Sequence, residues 1–166
     1  RPREEGIWMS IEEDIYKEII LENYKATRNK RSVEEPTHHA EGANPSCGDD
    51  MELHMRAENG RIVDIAYEGM GCSICCASAN LLCDAVRGKT FGEAQAIVSQ
   101  YRSMLLEDAE PEFPDDAGDL EAMEGVKKYP VRIKCALLAW NTLSNAMNDA
   151  QSEQGPASSE PDERSD

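Results

Sequence analysis

Met51-Glu52-Leu53-His54-Met55-Arg56-Ala57-Glu58-Asn59-Gly60-Arg61-Ile62-Val63-Asp64-Ile65-Ala66-Tyr67 has the pattern of two strands joined by a tight turn. Met51, Leu53, Met55 and Ala57 alternate with Glu52, His54 and Arg56, the period of a strand buried on one face. Asn59-Gly60 supplies the turn, because a type I′ hairpin needs positive φ at both central residues. Val63, Ile65 and Tyr67 then form the returning strand. A small antiparallel sheet is therefore expected near the middle of the chain.

Helical signals flank it. Upstream, Ser10 and Glu13 make a capping box, and Ile11, Ile15 and Ile19 recur at four-residue spacing, predicting a helix to about Tyr24. The stretch 25–50 is polar and broken by Pro36, Gly42, Pro45 and Gly48. Downstream of Gly69 and Gly71, the Ala-, Leu- and Cys-rich run from Cys72 to Val86 reads as a helix that Gly88 stops. Thr90 and Glu93 cap another, running to about Leu106. The acidic segment with Pro111 and Pro114 is expected to be loop, with one helical turn at Leu120 to Glu124. Pro130 opens the final helix, through Trp140 and Leu143. The class is α+β, a small antiparallel β-sheet packed with helices on one side. Residues 1–9 are expected as a flexible extension, 10–147 as one domain, and 148–166, which lack any large apolar residue, as a disordered acidic tail.

The 166 residues carry a net charge of −16, and two segments hold most of it. Glu107 to Glu124 has nine acids and no base, and Asn148 to Asp166 has six acids and one arginine. The remaining body is nearly balanced. Such a surface argues against nucleic acid, which needs clustered basic groups. With no apolar run near 20 residues and no apolar leader, no membrane partner and a cytoplasmic location are expected.

Six cysteines remain, Cys47, Cys72, Cys75, Cys76, Cys83 and Cys135. Without a secretory signal or a small-scaffold composition, disulfides are not expected. Cys47 lies in Asn44-Pro45-Ser46-Cys47-Gly48-Asp49, where a flexible glycine lets Cys47 and Asp49 aim at one point. Cys72 stands at a helix entrance and Cys135 in the early turns of the last helix, places that favour a thiolate. Cys47, Asp49, Cys72 and Cys135 together suit one tetrahedral zinc ion. That set keeps a charge of about −2 on the metal, which Arg132 and Lys134 are placed to offset in part. Cys75 stands at knuckle spacing from Cys72 as an alternative ligand. Otherwise Cys75, Cys76 and Cys83 read as small buried hydrophobes, and His38, His39 and His54 as surface residues.

These residues carry a resemblance. Asn44-Pro45-Ser46-Cys47-Gly48-Asp49, Glu68-Gly69-Met70-Gly71-Cys72-Ser73-Ile74, and the run Gly125-Val126, Pro130, Arg132, Lys134-Cys135-Ala136 and Trp140 resemble the U-type iron–sulfur assembly proteins, over about Ile15 to Ala146. Lys134 replaces the histidine ligand of the IscU scaffold branch, and an added segment matches Glu107 to Glu124, so the likeness is to the SufU branch. Departures are Thr27 for a proline, the thiols of Cys75 and Cys76, and weak strand signal over 38–43, where that family has its first strand. The resemblance implies a zinc-dependent sulfur carrier rather than a stand-alone enzyme. It implies docking on a SufS-type cysteine desulfurase, whose histidine displaces Cys47 from zinc so that Cys47 accepts persulfide sulfur. Delivery would be to a SufB-containing scaffold complex, with the free carrier monomeric. The alternative it carries is an iron–sulfur cluster scaffold on the same ligands.

Overall fold

The structure, a computed structural model, describes residues 2–148 and 157–158, with side chains over 14–148. In chain order it has α1 (Pro2–Lys25), β1 (His38–Asn44), β2 (Asp49–Glu58), β3 (Arg61–Met70), α2 (Ser73–Val86) and α3 (Phe91–Leu106). A 3₁₀ segment (Asp115–Lys128), α4 (Pro130–Asn148) and the two-residue β4 (Ala157–Ser158) follow. The sheet order is β3-β2-β1-β4, antiparallel except for β4 beside β1.

Asn59 and Gly60 both take positive φ, as a I′ turn requires. Two residues before the turn the register shifts: Arg56 faces Asp64 but Ala57 faces Ile62. Val63 is the extra residue of this bulge, so Ile62 rather than Val63 is fully buried. On one face of the hairpin Met51, Leu53, Met55, Ile65 and Tyr67 enter the core. There α4 packs on β1 and β2, and α2 packs on β3.

Two expectations are corrected. The weak strand signal over 38–43 nonetheless yields β1, because β2 offers a ladder and Ala40, Gly42 and Asn44 are small enough to bury beneath α4. In α1 the expected stripe is displaced: Ile15 is 53% exposed, while Ile19, Ile20 and the buried Asn23 face inward. Polar contacts decide this rotation, since Asn80 on α2 donates to Asn23 Oδ1 at 2.6 Å and receives Asn29 Nδ2 at 2.9 Å. The backbone of residues 2–9, expected as a flexible extension, is helical within α1.

The acidic segment is also more ordered than one turn. Ala117, Leu120, Met123 and Val126 bury at three-residue spacing, the 3₁₀ period. Lys89 pairs with Asp116 at 2.9 Å, and Lys127 with Asp108. Of the expected disordered tail, 149–156 and 159–166 lie outside the described residues, and Ala157–Ser158 pairs with Gly42-Ala43. No described helix is long and apolar enough to cross a membrane.

Candidate metal centre

The β1–β2 connection is built to present two side chains together. Cys47 N–H donates to Asn44 O at 3.1 Å and Gly48 N–H to Pro45 O at 3.3 Å, closing a tight turn. Gly48 has φ of +75°, open to glycine at no steric cost. The turn leaves Cys47 half-buried and sends Asp49, only 2% exposed, into the protein at the start of β2.

The second approach comes from β3 into α2. Cys72 is the N-cap of α2, and its backbone N–H donates to Asp49 Oδ1 at 2.9 Å. Gly71 makes the approach possible, for a Cβ there would stand 2.9 Å from Asp49 Oδ1 and 3.1 Å from Cys75 Sγ. The third comes from α4, which brings fully buried Cys135 under the turn. The ligand atoms of Cys47, Asp49 and Cys135 all lie within 4.8 Å of one another. Cys72 falls outside that tight group but borders it, its thiol interacting with Cys135. The four expected residues thus converge, three as a compact set and one at its edge.

Arg132 stands beside both Cys72 and Cys135, and electrostatic and hydrogen-bonding contact with Cys72 first, then Cys135, raises its already high pKa. Lys134 is half-buried on the same turn. Cys135 departs from the thiolate environment expected from its position. Burial first, then hydrogen bonding with Cys47, Asp49 and Cys72, holds its thiol well above the ordinary range. It is the sixth residue of α4, past the exposed amides of the first turn. Three thiols converging on a buried carboxylate form a donor set that a divalent cation completes, and soft sulfur with one oxygen suits zinc or iron. Cys47, Asp49, Cys72 and Cys135 are the residues that would hold it.

The six cysteines are all free thiols. Cys75 is fully buried behind Gly71, and burial raises its thiol far above the usual range. Cys76 donates to Gly71 O at 3.6 Å, and Cys83, pushed up to about 12 by burial, packs in the core. None joins the compact set.

Sequence reasoning assigned no role to Asn44. It is 1% exposed, and its Nδ2 donates to Asp49 Oδ2 at 3.4 Å and to Cys135 Sγ at 3.7 Å, while its Oδ1 accepts from Ser46 at 3.1 Å. An asparagine preceding a proline in a cysteine-bearing turn was the available signal.

Residues 15–155 match the family model of the NifU-like N-terminal domain. The chain is 36% identical to the zinc-dependent sulfurtransferase SufU of Bacillus subtilis over 133 residues, 80% of this chain and 89% of that protein. It is 39% identical to the iron–sulfur cluster assembly scaffold protein IscU of Streptococcus pyogenes, over 67% of this chain and 69% of that one. Its fold matches a crystal structure described as a candidate SUF-system scaffold protein from Fervidobacterium islandicum, with a TM-score of 0.72 and 35% identity. That match covers 78% of this chain and 94% of the other.

Proposed function

Because the chain belongs to the NifU-like N-terminal domain family of iron–sulfur cluster assembly, we propose that it is a zinc-dependent sulfur acceptor serving that assembly. The observation that carries this reading is an asymmetry among the ligands. Asp49 and Cys135 are buried, and half-buried Cys72 is the N-cap of α2 with its backbone N–H held by Asp49, whereas half-buried Cys47 stands on a turn between strands. Of the two half-buried thiols, one is thus carried by a turn that a partner can meet, while the other is tied to a helix start.

Zinc, when bound, supplies Lewis acidity that keeps the converging thiols deprotonated near neutral pH. The chain's own residues do the remaining work. Asn44 holds Asp49 and Cys135 in one orientation through its two donated hydrogen bonds. Arg132 offsets the negative charge of Cys72 and Cys135. Cys47 Sγ, as thiolate, attacks the outer sulfur of a persulfide on the donor. A new S–S bond forms at Cys47, the donor's S–S bond breaks, and the donor keeps the electron pair as thiolate, so the exchange is redox-neutral. The donor in this reading is a SufS-type cysteine desulfurase, and the recipient a SufB-containing scaffold complex. Met70 at 70% and Val131 at 72% exposure flank Cys72 and Arg132 in the chain and supply apolar surface for docking.

A second reading, cluster scaffolding on the same four residues, is favoured by the identity to the Streptococcus scaffold protein. Lys134 in the place of a histidine ligand weighs against it. Zinc content and desulfurase stimulation, measured on one preparation, test the proposal. About one zinc per chain with accelerated cysteine turnover is expected. Anaerobic isolation with a coloured cluster and no effect on the desulfurase would instead establish the scaffold reading.

A further inference from the structure

The face of the sheet turned away from the helices carries a second group of metal-binding side chains. His39 on β1 stands directly opposite His54 on β2 in the register, and Glu41, Glu52 and Glu68 line up across β1, β2 and β3 one step along. The ligand atoms of His39, Glu52 and His54 lie within 4.8 Å of one another. His54 Nε2 is 3.4 Å from Glu52 Oε1 and 3.0 Å from Glu68 Oε1. The two imidazole centroids are 5.1 Å apart at an interplanar angle of 33°.

Those separations have a chemical meaning. Nitrogen and oxygen donors about 2.0 Å from a tetrahedral zinc ion stand about 3.3 Å from each other. The His54–Glu52 and His54–Glu68 spacings bracket that value, and His39 closes the arrangement by side-chain rotation alone, being an exposed residue. The electrostatics point the same way. Like charges directly opposite on neighbouring strands destabilise a sheet, and here three glutamates lie abreast. A cation between them removes that repulsion. We propose that His39, Glu52 and His54, with Glu68 as fourth donor, form a second site for a borderline divalent cation of the zinc class. It is set on the opposite face of the sheet from α2 and α4 and shares no residue with the cysteine centre. Two imidazoles and carboxylates make it harder than the sulfur-rich centre, so it binds and releases zinc more readily.

The test uses the full untagged chain carrying its first equivalent of zinc, titrated with zinc chloride. The metal count after equilibrium dialysis is expected to rise from about one to about two per chain. His39→Gln and His54→Gln, both on the outward face and outside the core, should each abolish the second equivalent and keep the first. Imidazole nitrogen resonances of His39 and His54 should move with the second equivalent, while those of His38, packed edge-on against Phe91, stay put. Cys47→Ser combined with Cys72→Ser should lose the first equivalent and keep the second, which separates the fate of this site from that of the cysteine centre. A count fixed at one in excess zinc overturns the proposal. So does a second equivalent that survives both histidine substitutions or leaves their resonances unmoved.

Discussion

Cys47 and Cys135 are chemically the same residue in opposite situations, one on a half-exposed turn and one fully buried beneath it. Replacing Cys47 with serine leaves an oxygen that binds zinc weakly but removes the sulfur nucleophile. Zinc should be partly retained while persulfide formation, read by mass spectrometry after reaction with the desulfurase and cysteine, disappears. Cys75→Ser, Cys76→Ser and Cys83→Ser should leave that reaction near normal. Added sulfur on Cys75 or Cys76 in an active Cys47→Ser protein would refute the assignment. Gly71→Ala offers a second test, since its Cβ would meet Asp49 Oδ1 at 2.9 Å. Zinc affinity should fall by about tenfold or more, as expected when a residue supporting a ligand is disturbed. The Cys47-Gly48-Asp49 turn was legible because its chemistry is local. Asn44 was not, because its role exists only where residues 91 positions apart meet.

Among the elements, the hairpin and α3 were readable because a I′ turn and a capping box are short-range signals, and both are present as expected. The face of α1 was not, for its rotation is set by asparagines on other segments rather than by its isoleucines. The bulge at Val63 was equally hidden, since one inserted residue leaves the alternation of letters almost unchanged. How α2 and α4 are held together, and so how Cys72 and Cys135 are kept adjacent, turns on Ser78. Its hydroxyl donates to Ala136 O at 2.7 Å and accepts Trp140 Nε1 at 3.0 Å, beneath the Tyr101–Trp140 stack. Ser78→Ala strands the buried indole N–H and should cost about 1–3 kcal/mol. Thermal unfolding of the zinc-loaded variant checks this, and an unchanged midpoint would show the network to be dispensable.

At the scale of the whole molecule two questions are how far the fold depends on metal and how it responds to acid. Structural zinc contributes on the order of 10 kcal/mol in small peptides, comparable with the 5–15 of an entire domain. Here a hydrophobic core spans the sheet, α2, α3, the 3₁₀ segment and α4, with Ile20 of α1 against it, and Cys135 is the one residue of the cysteine centre among its buried members. A strong chelator should therefore lower the melting temperature yet leave the helical circular dichroism largely intact, provided metal analysis confirms removal. For acid, Asp64 joins three segments: Arg31 grips it through two bonds at 3.1 and 3.0 Å, and Arg87 adds one at 3.2 Å. The Arg31 hydrogen bond holds its carboxyl below the ordinary 3.8. A depressed folded value means the stabilisation is fully present above 3.8 and is lost as pH falls through the folded value. Asp64→Asn should lower the melting point at pH 7 by about 2–4 °C, corresponding to about 1 kcal/mol, with the difference shrinking as pH falls below 3.8. The shared hydrogen bonds of Asn44 carry one more consequence, in time rather than space. Cys47 and Cys135 are 88 positions apart, and a ribosome adds about 5–20 residues per second. For several seconds of every synthesis the turn's thiol exists before its buried counterpart is made, so the complete ligand set comes into being only after Cys135 has been added.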